Sequence, residues 1–221
     1  MTQNVPGQRK GITTTPRVIV KSDKNLIFER GVIDATYAID GGNTGKTDEL
    51  RAGCLMAKLT TSGKWVPAKF TRVKGGTSGS GSGAGDTALT VEDARFFKAD
   101  DPVSVETAAG TANHTVSSVD YVNNVITMTT AVDNPNEGGV VQGRGALAGS
   151  GTVRAILNNF VKLLGIPVHE DAVWRDMTID QLLISGYVDA SQILGDLAGV
   201  RASTSVTHYL NHVIWDDQQG G

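Results

Sequence analysis

A chain of 221 residues, 39% hydrophobic and 19% charged, has the material for one large core or two small ones. A net charge of −3 argues against a nucleic-acid surface, and no run approaches the ~20 apolar residues of a membrane helix, so neither nucleic acid nor membrane is expected as a partner. Cys54 is the only cysteine, which excludes an intrachain disulfide, and 27 glycines with few aromatics favour short strands and many turns over long helices.

Residues 1 to 30 hold Arg9, Lys10, Arg17, Lys21, Lys24 and Arg30 against Asp23 and Glu29. No apolar signal segment opens the chain, so an intracellular soluble protein is expected, at least where it is made. Two β-prone runs, PRVIVKS and NLIFERG, lie in this basic stretch without an evident partner. They read as an arm that adds a strand to a partner's sheet edge, through Arg17, Val18, Ile19, Val20, Lys21, Leu26, Ile27 and Phe28. A solvated tail has the same composition, and the residues alone leave both readings open.

The loop DGGNTGKTDEL, residues 40 to 50, imitates a phosphate cradle. With Lys46 as its lysine, the first glycine of G-x-x-x-x-G-K-[ST] falls on Asp40, whose carboxylate repels phosphate, and Gly53 interrupts any following helix. A polar loop leading into a strand is the expectation. Residues 50 to 73 then read as a hairpin, GCLMAKLT and KWVPAKFTRV about a TSG turn, with Cys54 buried as a small hydrophobe and Pro67 marking an edge or an interruption.

The Gly/Ser run GGTSGSGSGAG, residues 75 to 85, is the clearest boundary in the sequence. A β-rich block follows over 86 to 142, with EDARFFKAD as one helical turn burying Phe96 and Phe97 and a hairpin turning at Asn123-Asn124. Beyond it, LLISGYVD reads as a strand, DASQILGDLAG as a short helix capped by Asp189, and HYLNHVIWDD as a last strand with Val213 and Trp215 on one face. The expected fold is mainly β with short helices, a β-rich α+β chain. It divides into an arm and lead-in over 1–49, a core from 50–74 and 146–221, and an inserted β module over 75–145.

Candidate chemistry is sparse. GRGALAGSG formally matches a dinucleotide fingerprint through Gly143, Gly145 and Ala148, but no strand–helix alternation surrounds it. His208 and His212 share a face without the intervening glutamate of H-E-x-x-H. The pairs Asp100-Asp101, Glu170-Asp171 and Asp216-Asp217 are adjacent in polar runs, the mark of solvated turns rather than of an acid set against a base. No catalytic residue, metal ligand or cofactor is assigned, and the chain is not expected to be an enzyme.

Three segments carry a family resemblance. LRAGCLMAKLTTSGKWVPA (50–68), GTVRAILNNFV (151–161) and QLLISGYVDASQIL (181–194) resemble, in order and character, segments of the lambda-type head decoration proteins of tailed bacteriophages. Arg154-Ala155-Ile156-Leu157 lacks the family's usual glycine before the isoleucine, and the family's small members lack the inserted module.

The resemblance implies a compact β core and a structural virion protein on the outer capsid surface. As a homotrimer it would cement neighbouring major capsid protein subunits and stabilise the expanded head. It places Leu55, Trp65, Val66, Pro67, Ile156, Leu183, Val188, Ile193, Leu194 and Trp215 in the core or trimer contacts. The alternative is a receptor- or glycan-binding accessory virion protein, a head fibre or tail-tip module, with surface glycans bound by the insertion.

Overall fold

The computed structural model describes residues 19–76, 85–163, 176–202, 210 and 212–217. Strands make up 53% and helical residues 7%, with one α-helix among the described residues, so the mainly β class holds. In chain order the elements are β1 (Val20–Ile33), β2 (Glu49–Leu50), β3 (Leu55–Lys58), β4 (Trp65–Pro67), β5 (Phe70–Gly76), β6 (Asp86–Val91) and β7 (Pro102–Thr107). There follow β8 (Gly110–Asp120), β9 (Val125–Val132), β10 (Val140–Gly143), β11 (Val153–Leu157), β12 (Val161–Lys162), β13 (Met177–Asp189), α1 (Leu197–Ala202) and β14 (Val213–Asp216).

The core sheet runs β1-β4-β3-β11-β13-β14, and β1 also pairs with β13, which closes five of these strands into a ring. β13 is the spine. β1 lies antiparallel along one of its edges, while β11 at Leu182–Leu183 and β14 at Gly186–Asp189 occupy the other. Adjacent leucines of β13 feed opposite faces. Leu182 packs with Trp65, Met56, Ile33 and Leu157; Leu183 packs with Leu55, Ile156, Val188 and Val213. A sheet covered on both faces explains why CLMA and AIL are continuous apolar runs rather than alternating ones.

The inserted unit is a closed six-stranded barrel, β10-β5-β6-β9-β8-β7, filled by residues such as Val73, Leu89, Phe97, Val103, Val116 and Ile126. Its boundary corrects the sequence reading. The run KWVPAKFTRV is two strands, not one: β4 stays in the core and β5 belongs to the barrel. The Gly/Ser run therefore joins two strands of the same barrel, β5 and β6, which pair antiparallel through Val73↔Val91. The change of unit happens instead at Ala68-Lys69, just after Pro67.

The expectation for the first 30 residues is corrected in the same way. β1 has an intramolecular partner, β13, from Val20↔Val188 to Ile33↔Met177, so residues 20–33 are core rather than arm. Ile19 is buried and its carbonyl accepts a hydrogen bond from Asp189 N at 2.9 Å. The pairing escaped notice because partners lie some 150 residues apart and β1 is irregular. Five steps from Ser22 to Ile27 face only two from Tyr187 to Ser185, and Asn25 within that bulge has φ 60°. Arg17 and Val18 lie outside the described residues.

Smaller expectations divide similarly. Phe96 and Phe97 are buried, but by turns and not by a helical turn. The β8–β9 hairpin turns through four residues, Tyr121–Asn124, with Asn124 at φ 53°. Asp189 caps a 3-10 turn, Ala190–Gln192, by accepting from Ser191 N at 3.0 Å, and the α-helix begins only at Leu197.

Candidate functional site

The two glycine loops that imitate nucleotide motifs have several of their backbone donors engaged internally. Asp40 is fully buried and receives Arg51 through Nε at 2.6 Å and Nη2 at 2.8 Å. The amides of Asp40, Gly41, Asn43, Lys46 and Glu49 all donate to carbonyls of the protein, so these five donors are engaged within the fold and not turned to a phosphate. Gly143 donates to Lys69 O, and the 3-10 turn Gly145–Leu147 leads into β11 instead of a helix. Among the described residues no group of three or more His, Cys, Asp or Glu side chains is placed to hold a metal ion. Cys54 is enclosed, and burial pushes its thiol well above the usual range. His208 lies outside the described residues and His212 is exposed, so the proposed histidine pair is not assembled within them.

The residues expected at partner contacts fall into two sets. Leu55, Trp65, Val66, Pro67, Ile156, Leu183, Val188, Ile193 and Leu194 are buried inside the chain's own core. Trp215 is half-buried, with the Arg201 guanidinium 5.8 Å from its ring centroid. They hold the fold, and any contact with another molecule belongs to other side chains. Of the expected arm residues, Val20 and Leu26 pack on the core, whereas Ile27 and Phe28 remain exposed at 53% and 40%. Val32 and Met177 are also exposed, on the same β1–β13 ribbon. Lys21 bonds Asp216 at 2.6 Å, which raises its pKa and ties β1 to β14 across β13.

The seam between core and barrel holds buried polar groups. Lys69 Nζ meets Asp101 Oδ2 at 2.7 Å, with both side chains essentially inaccessible to solvent. Burial lowers the Lys69 pKa from 10.5, with the Asp101 charge acting against it. Arg72 of β5 grips Asp196 bidentately, at 2.8 and 2.9 Å, while Asp196 Oδ1 also accepts from Gly199 N in α1. Gly41 donates to Arg95 O and lies under the Tyr121 ring, where a Cβ would come within 2.1 Å. These contacts seat the barrel on the core. Sequence reading missed the Lys69–Asp101, Arg72–Asp196, Gly41–Arg95 and Gly41–Tyr121 contacts because each joins residues more than 30 positions apart.

His114 on β8 offers a pH-dependent element. It is buried, with Nδ1 3.1 Å from Thr130 Oγ1 and Nε2 without a hydrogen-bond partner. Burial lowers its pKa below 6.5, Asp133 opposes this and Arg144 adds to it. The folded state therefore holds neutral imidazole, and below pH 6.5 the unfolded chain takes up the proton first. Stability is fully present above that value and falls as pH drops toward the depressed folded pKa. Urea midpoints at pH 7.5 and 5.0 should show a larger loss for the native chain than for His114→Gln; equal losses refute the assignment.

The fold defines this chain as a two-unit β protein, a ringed core sheet carrying a closed six-stranded barrel. No protein-family model, no curated protein and no solved structure matches it.

Proposed function

We propose that this chain is a structural virion protein that binds the outer surface of a phage head and cements neighbouring major capsid subunits. The observation that supports the reading is where the three decoration-like segments lie. They supply β3 and β4, β11, and the latter half of β13, which are consecutive neighbours in one sheet. Scattered chance likenesses have no reason to converge on one folding unit.

The contact with the shell is reassigned. Since β1 belongs to the core, the shell contact falls to residues 1–18, which lie outside the described residues and carry Arg9, Lys10 and Arg17 and no acidic residue. A span of 18 residues reaches at most ~60 Å when extended, enough to cross to an adjoining subunit. A trimer joined through the exposed Ile27, Phe28, Val32 and Met177 presents three such arms, and their avidity adds ~10²–10⁴ to a single contact. The basic arm suits an acidic shell and gives salt-sensitive binding.

Deleting residues 2–18 tests this. The truncated protein, checked to be folded, should lose at least ~100-fold in affinity for expanded, undecorated heads, as expected when a multivalent contact is removed. Undiminished binding by the folded truncation sinks the arm. Failure of the intact protein to bind such heads sinks the function itself. Deleting 2–30 is uninformative, because it removes most of β1.

A further inference from the structure

The decoration reading leaves the outer face of the barrel unemployed, and that face carries a cleft of about 490 Å³. The volume falls within the ~300–1,000 Å³ typical of small-ligand sites. Its floor is the solvent side of β7, β8, β10 and β5, where opposite residues across strands are Glu106↔Thr111, Ser104↔Gln142 and Gln142↔Phe70. Its far wall, Gly151-Thr152, comes from the core, so the cleft exists because the barrel is seated there. Gly151 lets the Gln142 side chain lie against it: a Cβ at that position would come 2.5 Å from Gln142 Oε1 and push it aside.

The chemistry of the lining is selective. It holds one carboxylate, one carboxamide and several hydroxyls, with no lysine, arginine or histidine. Val140 N donates to Glu106 Oε2 at 3.2 Å, which fixes the carboxylate while leaving its other oxygen available. The Gln142 side chain is exposed and makes no hydrogen bond with any described residue, so its donor and acceptor are both available. Phosphate, sulfate and acidic sugars would meet a negative charge with no cation to offset it. Neighbouring hydroxyls of a neutral sugar match the set, since they donate to carboxylate and carboxamide oxygen and accept from the carboxamide NH2. The apolar parts of Val140 and the edge of Phe70 can take the C–H surface of a ring.

We propose that this cleft binds a neutral saccharide, held by Glu106 and Gln142 with Thr111 and Thr152 at its rim. The proposal is independent of head binding. The full-length protein would be examined by saturation-transfer NMR with methyl glucoside, methyl galactoside, methyl mannoside and N-acetylglucosamine, with sialyllactose and inorganic phosphate as anionic controls. Transfer to at least one neutral sugar is expected, with none to sialyllactose and no competition by phosphate. Glu106→Gln should weaken binding at least 10-fold, and Thr111→Tyr, which fills the mouth from an exposed strand end, should abolish it. Both variants should bind heads like the native chain. If one fails to fold, the other decides. Absence of transfer from every neutral sugar, preference for the anionic probes, or binding indifferent to the folded variants overturns the site.

Discussion

Asp101→Ala should destabilise the protein by about 3–5 kcal/mol, measured by urea unfolding at pH 7. Lys69 is fully buried and, among the described residues, Asp101 is its only ion-pair partner. The substitution leaves a buried ammonium group without its carboxylate, and it also removes the acceptor of Lys98 N at 2.9 Å. The chain's escape is to deprotonate Lys69. From an ordinary value of 10.5, that costs ~5 kcal/mol at pH 7 and only ~2 kcal/mol at pH 9. The penalty should therefore shrink as pH rises, a signature that a simple cavity would not give. Lys69→Met combined with Asp101→Leu should recover most of the loss, because removing both charges removes the desolvation cost as well. A pH-independent penalty, or a double variant no better than the single one, would contradict the buried-pair account.

The second large effect is expected at Trp65. Trp65→Ala should cost about 3–5 kcal/mol, the usual range for emptying a large aromatic site in a core. The indole is 1% exposed and sits where the five-stranded ring closes: Ile33 pairs with Trp65, and Asp34 N donates to Trp65 O at 2.9 Å. Gly31 leaves room for it, since a Cβ there would lie 2.3 Å from Trp65 Cδ1. Gly31→Ala should accordingly destabilise by ~1–3 kcal/mol through overpacking. Hydrogen exchange distinguishes a local from a general loss. In Trp65→Ala the amides at the Ile33 end of β1 should exchange faster than those of the barrel, whose core is separate. Uniform acceleration throughout would show that the ring closure is not held by this residue.

Local chemistry was legible where it acts locally. The β-rich class, the burial of Cys54, Phe96 and Phe97, the strand at LLISGYVD, the common face of Val213 and Trp215, and the stop at Pro67 all follow from side-chain period and backbone preference. The failures share one origin. The Gly/Ser run looked like a border because composition reports that a segment cannot pack, not which strands it joins. The arm looked unpartnered because its mate, β13, is far along the chain and the register between them is broken by a bulge.

The saccharide cleft was invisible for the same reason. Glu106, Gln142, Gly151 and Phe70 share no motif, and only the seating of barrel on core makes them neighbours. By itself the sequence determined the class of fold, the strand-forming runs, the basic character of the first 18 residues and the segments that resemble phage decoration proteins. Those depend on neighbours within a few residues. The tertiary structure alone decided that residues 20–33 are core, that β5 belongs to the barrel, and that Lys69 meets Asp101. Such pairings are chosen by burial and hydrogen-bond satisfaction over the whole chain, and no local preference encodes them.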